Sequence, residues 1–265
     1  MSQRNSNNVA SPGVMTVARG LAVLRAFRSD RTPLTNVELV RRTGLAKATV
    51  SRLTSTLVQA GFIRRVLGKR NFVLSTGALG IGHSYLSTSS LLNAARPLMQ
   101  SLADRLDASV ALAVQDGIDM LYVSHCSSRK IATLKLRAGL ILPMGTTAIG
   151  RAYLWGLPPQ EQKQLLLTFQ ESAKENGEQF IHDIHESFTE LDATGTCFVS
   201  GGYIKNSYGV ALSLQLGANL ARFAMSCGKT LLPESLEEER RTIATELKRA
   251  ASELKKLLSN LDAKI

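Results

Sequence analysis

The sequence predicts an α+β protein: an N-terminal winged helix-turn-helix, a linker helix and a larger α+β domain. Three observations support this fold. Apolar residues recur at helical spacing through about the first sixty residues and then give way to two short strand-like runs. Later segments mix strand-like and helical patterns. The positive charge of the chain lies at one end, and 265 residues are enough for two domains.

The charge distribution separates the two ends of the chain. Residues 1–70 contain thirteen lysines and arginines but only two acids, Asp30 and Glu38, which gives a net charge of +11. The remaining 195 residues contain nineteen basic and nineteen acidic residues and have no net charge. A basic segment attached to a neutral one is typical of a protein that binds a polyanion with one part and has another task for the rest.

The first 78 residues follow the element order of a winged helix-turn-helix. Residues 1–14 are polar and aperiodic, which predicts a disordered arm before a domain over 15–78. Helices are predicted from an N-cap at Thr16 to Phe27, over about 36–43 and over about 47–60. Two strand-like runs around Gly68 predict the wing. The apolar side chains expected to face inward are Val17, Leu21, Leu24, Phe27, Val37, Leu39, Val40, Val50, Leu53, Leu57 and Val58.

The rest of the chain predicts a linker helix over 79–98 and an α+β domain over 99–265. A helical pattern at 91–106 contains Pro97, which should kink it. Strands at 110–114 and 120–123 flank Asp116-Gly117, a sequence typical of hairpin turns. Further strands are predicted at 132–136, 197–204 and 210–216, helices at 147–155 and 160–169, and a final amphipathic helix from Glu234 to about Leu258.

The segment from Thr35 to Ser55 has the spacing of a DNA-reading helix-turn-helix. Gly44 permits a sharp turn between two helices, and Val50 and Leu53 hold the second helix against the first. The outer side chains are short, hydrogen-bonding or cationic, as a major groove about 12 Å wide requires. We expect Arg52 to read a guanine. The candidate contacts with double-stranded DNA are Arg19, Thr35, Lys47, Ala48, Thr49, Ser51, Arg52, Ser55, Lys69 and Arg70.

Three segments resemble the IclR family of bacterial transcriptional regulators: TVARGLAVLRAF at 16–27, residues 36–61 with RRTGLAKATVSRL, and LPMGTTAIGRA at 142–152. The resemblance covers nearly the whole chain from about Val14. It implies a GAF-like effector-binding domain, a homodimer or homotetramer, and control of catabolic or efflux genes by a small organic acid or aromatic effector. The implied function is a ligand-responsive, sequence-specific DNA-binding regulator that is not an enzyme.

The same resemblance implies where the effector binds. The loop and helix start after the third strand of the larger domain would line the pocket, with the N–H groups of Ala148 and Ile149 facing the ligand. A helix N-terminus presents unpaired donors to an anion. The family's pocket cysteine matches Cys197, and two polar residues that alternate on the following strand match Ser213 and Gln215. The implied effector-binding residues are Gly145, Thr146, Thr147, Ala148, Ile149, Cys197, Ser213 and Gln215.

Two other functions stay open at this level. His182, His185 and Cys197 are candidates for a metal- or redox-sensing site, although no carboxylate or second thiol stands at ligand spacing. An enzyme with a DNA-binding head is the other alternative, but the sequence contains no nucleophile elbow, metal cluster or dinucleotide fingerprint.

Composition limits the remaining classes. No apolar stretch approaches the roughly 18 residues of a membrane span, and residues 1–12 lack the apolar region of a signal peptide. Cys126, Cys197 and Cys227 are far apart, so a disulfide scaffold is not expected. We therefore expect a cytoplasmic protein that binds no membrane and needs no cofactor.

Overall fold

The structure is a computed structural model that describes residues 12–28, 33–130, 136–230 and 235–261. The chain divides into two compact units, residues 1–85 and 86–265, and the division lies inside the segment 79–98 that was predicted as a linker helix. Residues 1–11 of the predicted arm and residues 132–135 of the strand predicted at 132–136 lie outside the described ranges. Within those ranges, no helix has both the length and the apolar character that crossing a membrane requires.

The first unit combines helices with a small antiparallel sheet. Its helices are α1 (Pro12–Arg25), α2 (Asn36–Thr43) and α3 (Lys47–Gln59), and α4 (Thr76–Thr88) begins in it. Its strands are β1 (Leu34–Thr35), β2 (Ile63–Arg65) and β3 (Asn71–Leu74), in the order β1-β3-β2. The hairpin of β2 and β3 is the wing. The predicted winged helix-turn-helix is confirmed, with β1 as an additional strand.

The apolar faces of the first unit are only partly as predicted. The core contains Val23, Phe27, Leu34, Leu39, Val50, Leu53, Ile63 and Phe72. Val17, Leu21 and Val37 are instead 64%, 55% and 73% exposed. Helix α1 begins at Pro12, so Thr16 is not its N-cap and residues 12–14 do not belong to an arm. Only the last turns of α1 reach the core, which apolar spacing alone does not reveal.

The second unit is a six-stranded antiparallel sheet covered by helices. Its helices are α5 (Ser90–Leu106), α6 (Ala148–Trp155), α7 (Pro159–Ser172), α8 (Gly177–Thr194) and α9 (Leu236–Leu257), with a 3₁₀ turn at Lys174–Asn176. Its strands are β4 (Ser109–Asp116), β5 (Asp119–Ser127), β6 (Ile141–Pro143), β7 (Cys197–Ser200), β8 (Ser207–Leu216) and β9 (Ala221–Thr230). The strand order is β6-β5-β4-β9-β8-β7.

Large and small side chains alternate along the central strands. Large ones such as Leu112, Leu212 and Met225 point to the face that α5 and α9 cover. Small ones such as Ala111, Ala211, Ala113 and Ala224 point to the face that α6 covers. Helix α6 therefore lies close to the sheet.

Several elements differ from the prediction. The linker helix expected over 79–98 is two helices, because Ser89 caps α5 by accepting a hydrogen bond from the Leu92 N–H at 3.3 Å. Residues 91–98 belong to the second unit, since Leu91, Leu92, Ala95 and Met99 are buried in its core. Pro97 lies inside α5. Helix α8 and strands β6 and β9 were not predicted.

Candidate functional site

The DNA-reading candidates lie on the helix-turn-helix formed by α2 and α3. Gly44 ends α2 with a φ of 67°, and its N–H donates to the Val40 carbonyl at 2.9 Å. This left-handed conformation favours glycine. Val50 and Leu53 anchor α3 in the core of the first unit. The turn predicted at Gly44 is confirmed.

Six of the candidate contacts share the outer side of α3. Lys47, Ala48, Ser51, Arg52 and Ser55 are exposed, and Thr49 is half-buried. The N-cap residue of α3 is Ala46, whose side chain makes no capping hydrogen bond. The first N–H groups of α3 are thus uncapped, and such groups bind phosphate well.

Thr35 has a different role from the one expected. It is the N-cap of α2: its hydroxyl accepts from the Glu38 N–H at 3.2 Å and donates to the Glu38 carboxylate at 2.9 Å. The Thr35 N–H also donates to that carboxylate at 2.8 Å. These hydrogen bonds lower the pKa of the Glu38 carboxyl group, and the one from the Thr35 backbone has the largest effect. The reciprocal contacts form a capping box, so the hydroxyl of Thr35 is engaged within the fold.

The wing and α1 supply further exposed cations. Lys69 and Arg70 are exposed in the hairpin, and Arg19 is exposed on α1. Arg65 stacks over the Phe72 ring at 5.1 Å. Leu67, at the tip of the wing, is 98% exposed. The wing thus presents a basic edge with an apolar tip.

The second unit contains a cavity of about 90 Å³, partly open to solvent. Its lining includes the start of α6 (Thr147, Ala148 and Ile149), small residues of the sheet and the loop after β7. Gly202 in that loop comes so close to the Thr146 carbonyl that a Cβ there would lie 1.9 Å from the oxygen. The cavity is far below the roughly 300–1,000 Å³ of sites for drug-sized ligands, which restricts it to small molecules.

The start of α6 presents unpaired donors to this cavity. Thr147 caps the helix by accepting from the Gly150 N–H at 3.2 Å, and it donates to the Pro143 carbonyl at 2.8 Å. Within the described residues, the N–H groups of Ala148 and Ile149 have no acceptor, although both residues are buried. Because an unpaired buried N–H group is costly, these two donors favour a ligand that accepts hydrogen bonds.

Only three of the eight predicted effector contacts line the cavity: Thr147, Ala148 and Ile149. Gly145 is buried against Phe180, whose ring occupies the space that a side chain there would need. Thr146 lies next to the lining, and its buried hydroxyl finds no partner in the described part of the chain. Cys197 is buried under α6 with its thiol 3.4 Å from the Ala148 carbonyl.

Ser213 and Gln215 lie away from this cavity. They share a face with Gly209, which lines the cavity, but lie four and six residues further along β8, about 13 and 20 Å away. Ser213 packs against Gly156 at the other end of α6. The alternating residues that line the cavity are Ser207 and Gly209 on β8, and Ser226 and Gly228 on β9, the strand that the sequence analysis missed.

A polar cluster next to the cavity was also not predicted. The Ser109 hydroxyl lies 2.7 Å from Nε2 of His125, and the His125 ring stacks on Tyr122 with 6.2 Å between centroids. Burial lowers the pKa of His125 to about 4 and raises that of Tyr122 to about 12. Both side chains are therefore neutral at neutral pH.

The residues of the alternative metal or redox site do not come together. His182 is exposed and lies 3.6 Å from Glu186, and His185 packs edge-on against Phe188. Burial raises the pKa of the Cys197 thiol to about 12, which keeps it protonated and unreactive. Groups of three or more potential ligands close enough to hold a metal are absent from the described ranges.

Comparison with known proteins identifies the family. The IclR helix-turn-helix domain matches residues 16–67, and the domain described as bacterial transcriptional regulator IclR C-terminal matches residues 83–200. The HTH-type transcriptional regulator TsaQ1/TsaQ2 of Comamonas testosteroni is 30% identical over 230 residues, which cover 84% of this chain and 81% of that protein. The chain belongs to the IclR family of bacterial transcriptional regulators.

Solved structures agree with IclR membership. An IclR family transcriptional regulator from Brucella abortus has a TM-score of 0.85 at 29% identity, over 96% of this chain and 97% of that one. An IclR homologue from Microbacterium hydrocarbonoxydans, solved in complex with 4-hydroxybenzoate, shares the fold with a TM-score of 0.65 at 19% identity, over 92% of this chain and 98% of that one. This IclR-family chain is a DNA-binding transcriptional regulator.

Proposed function

We propose that this regulator binds operator DNA through the outer side of α3 and the wing, in the cytoplasm and without catalytic activity. The observation that carries the proposal is the coincidence of charge and shape in the first unit. The net charge of this unit is +11. The outer side of α3, the second helix of the helix-turn-helix, presents Lys47 and Arg52. DNA binding rests on cations for phosphate contacts and on a narrow element that enters the major groove.

The exposed residues divide into two roles. Arg52 would read guanine O6 and N7, while Thr49 and Ser51 bond to bases or phosphates. Lys47 and the uncapped start of α3 would bind phosphate, as would Arg19 on α1. Lys69 and Arg70 of the wing would reach adjacent phosphates or a minor groove. Ala48 and Ser55 complete the surface that faces the bases.

The effector is a small organic acid or an aromatic compound. The two unpaired N–H groups at the start of α6 support this class, since they suit a carboxylate. The homologue from Microbacterium hydrocarbonoxydans, which was solved with 4-hydroxybenzoate, is consistent with it. The genes under control would accordingly be catabolic or efflux genes.

The regulator would act as a homodimer or homotetramer. Val14, Val17 and Leu21 form an exposed apolar row along α1. Such a row on a helix supports contact with a second copy. Two helix-turn-helix units of a dimer would enter successive major grooves, about 34 Å apart or a multiple of that. The effector would change the preferred spacing of the two units and so change operator affinity.

Replacing Arg52 tests the base-reading role. We expect Arg52→Ala to weaken binding to the preferred operator by about 1–3 kcal/mol and to relax the preference at one base pair, because a bidentate contact to guanine is lost. Fluorescence anisotropy with the operator and its single-base variants measures both effects. Lys69→Ala is the matched control, which should weaken all sequences equally. An unchanged base preference in Arg52→Ala would remove Arg52 from base reading.

A further inference from the structure

The floor of the cavity is a trough between α6 and β4. Gly209, Gly228 and Ser109 are paired side by side across strands β8, β9 and β4. Ala148, at the start of α6, lies over Gly209, 3.6 Å from the place that a Cβ there would take. Strands are about 4.8 Å apart, so Ser109 lies about 10 Å from Gly209. Because the two glycines have no side chains, the trough is clear from the start of α6 to Ser109.

The far end of the trough is polar. Ser109 is 3% exposed and lines the cavity, and its hydroxyl is paired with His125. A neutral imidazole accepts at one nitrogen and donates at the other, and a hydroxyl does both. After pairing with His125, the Ser109 hydroxyl keeps hydrogen-bonding capacity for a ligand. Tyr122 and Ser226, which also line the cavity, add further hydroxyl groups nearby.

This end of the trough has no charged side chain from the described residues. Lys229 belongs to the lining, but its ammonium group is paired with Glu239 of α9, on the opposite face of the sheet. Tyr208 also donates to Glu239, at 2.7 Å. An anion at the Ser109 end would be buried without a counter-charge, which is costly. A hydroxyl suits this end, and a second carboxylate does not.

Starting from the proposed function, we propose that Ser109 and His125 bind a hydroxyl group of the effector, at the opposite end from a carboxylate held by the N–H groups of Ala148 and Ile149. The effector is then a hydroxy acid with its two polar groups at opposite ends. Its middle is flat and apolar, because it lies on the glycine floor between Leu142, Ile149 and Val199. A hydroxybenzoate has this chemistry.

The test compares 4-hydroxybenzoate with benzoate by isothermal titration calorimetry on the full chain. The wild type should bind 4-hydroxybenzoate about ten-fold or more tightly than benzoate, because benzoate offers no hydroxyl to the remaining hydrogen-bonding capacity of the buried Ser109–His125 pair. Ser109→Ala and His125→Phe should each remove the preference while still binding benzoate as the wild type does. Ser213→Ala is the matched control, because Ser213 is on the same face of the sheet but outside the cavity; it should keep the preference.

Three results would overturn the proposal: no binding of 4-hydroxybenzoate at millimolar concentration, equal binding of both compounds by the wild type, or a preference that survives both substitutions. Near-ultraviolet circular dichroism shows whether each variant is folded, and His125→Gln replaces any variant that is not. Operator binding by the same samples separates a failure of the ligand assignment from a failure of the proposed function. If the protein binds the operator but not 4-hydroxybenzoate, only the ligand assignment is wrong. If it does not bind the operator, the proposed function is wrong.

Discussion

The two units of this regulator present opposite kinds of binding surface. The first has a net charge of +11, and its candidate contacts are exposed on one helix and one hairpin. The second has no net charge, and its candidate contacts are buried hydroxyl, imidazole and N–H groups around a small cavity. DNA is a large polyanion that is met by cations at a surface, whereas a small effector must be enclosed. The charge and burial of each proposed site thus match the physical nature of its proposed ligand.

The salt dependence of ligand binding should show the largest difference between the two units. If an oligomer contacts six to ten phosphates, operator affinity should fall by about 10³–10⁵-fold between 50 and 200 mM salt. Effector affinity should change by less than about three-fold, because buried contacts are screened little. Anisotropy titrations and calorimetry on one preparation measure both. A flat operator titration would contradict the electrostatic role of the first unit.

The same substitution should have unequal effects on stability in the two units. A Cβ at Gly150 would lie 2.1 Å from the Met144 carbonyl oxygen, so Gly150→Ala should cost about 2–3 kcal/mol. Gly44 has open space around its Cβ position, so Gly44→Ala should cost only the left-handed strain, about 1 kcal/mol. Urea unfolding followed by circular dichroism gives both values, and the fluorescence of Trp155, the single tryptophan, reports the second unit. Equal losses would mean that α6 is free to move away from β6.

Thr35 tests which residues of the first unit serve its fold and not its DNA contacts. Thr35→Ala should lower the free energy of unfolding by about 1 kcal/mol, because the N-cap of α2 is lost. The base preference of the folded protein should not change. Thr35→Ser keeps the cap and serves as the control. An altered base preference with unchanged stability would show that Thr35 contacts DNA.

A change of pH should have an effect of similar size, about 1 kcal/mol, on the second unit through His125. The folded pKa of His125, about 4, lies below its usual value near 6.5, so the unfolded chain binds more protons between these values. The second unit should thus have its full stability above about pH 6.5 and become less stable as the pH falls. We expect a loss of about 1 kcal/mol at pH 5, which is less than a fully buried histidine would cause, because His125 is only half-buried. Urea unfolding followed by Trp155 fluorescence across pH 5–7 measures the slope, and His125→Gln should flatten it.

The first unit was predictable from sequence because its determinants are local. Gly44, the apolar spacing of α3 and the glycine of the wing each act over a few residues, and the charge count needs no structure. The role of Thr35 was missed although Thr35 and Glu38 have the spacing of a capping box. The exposure of Val17 and Leu21 was not predictable, since it depends on where α1 leaves the core.

The second unit was less predictable because its cavity depends on contacts between distant segments. Strand β9 is buried on both faces, as Phe223, Ala224, Met225, Ser226 and Cys227 show, so it lacks the alternation that identifies a strand. Ser213 and Gln215 were assigned from the resemblance to the family, and they lie on β8 beyond Gly209, which lines the cavity. Which small and polar residues meet at the cavity depends on the pairing of distant strands, which brings together Ser109 of β4, Gly209 of β8 and Gly228 of β9.

The alternation of large and small side chains along the central strands has a consequence for engineering. Small residues that line the cavity, such as Gly209 and Ser226, are different from those that fill the core on the other face, such as Leu112 and Leu212. Specificity can therefore be redesigned by exchanging one small residue for another of slightly different size, with the opposite layer left untouched. This makes the chain a practical scaffold for biosensors tuned to new analytes.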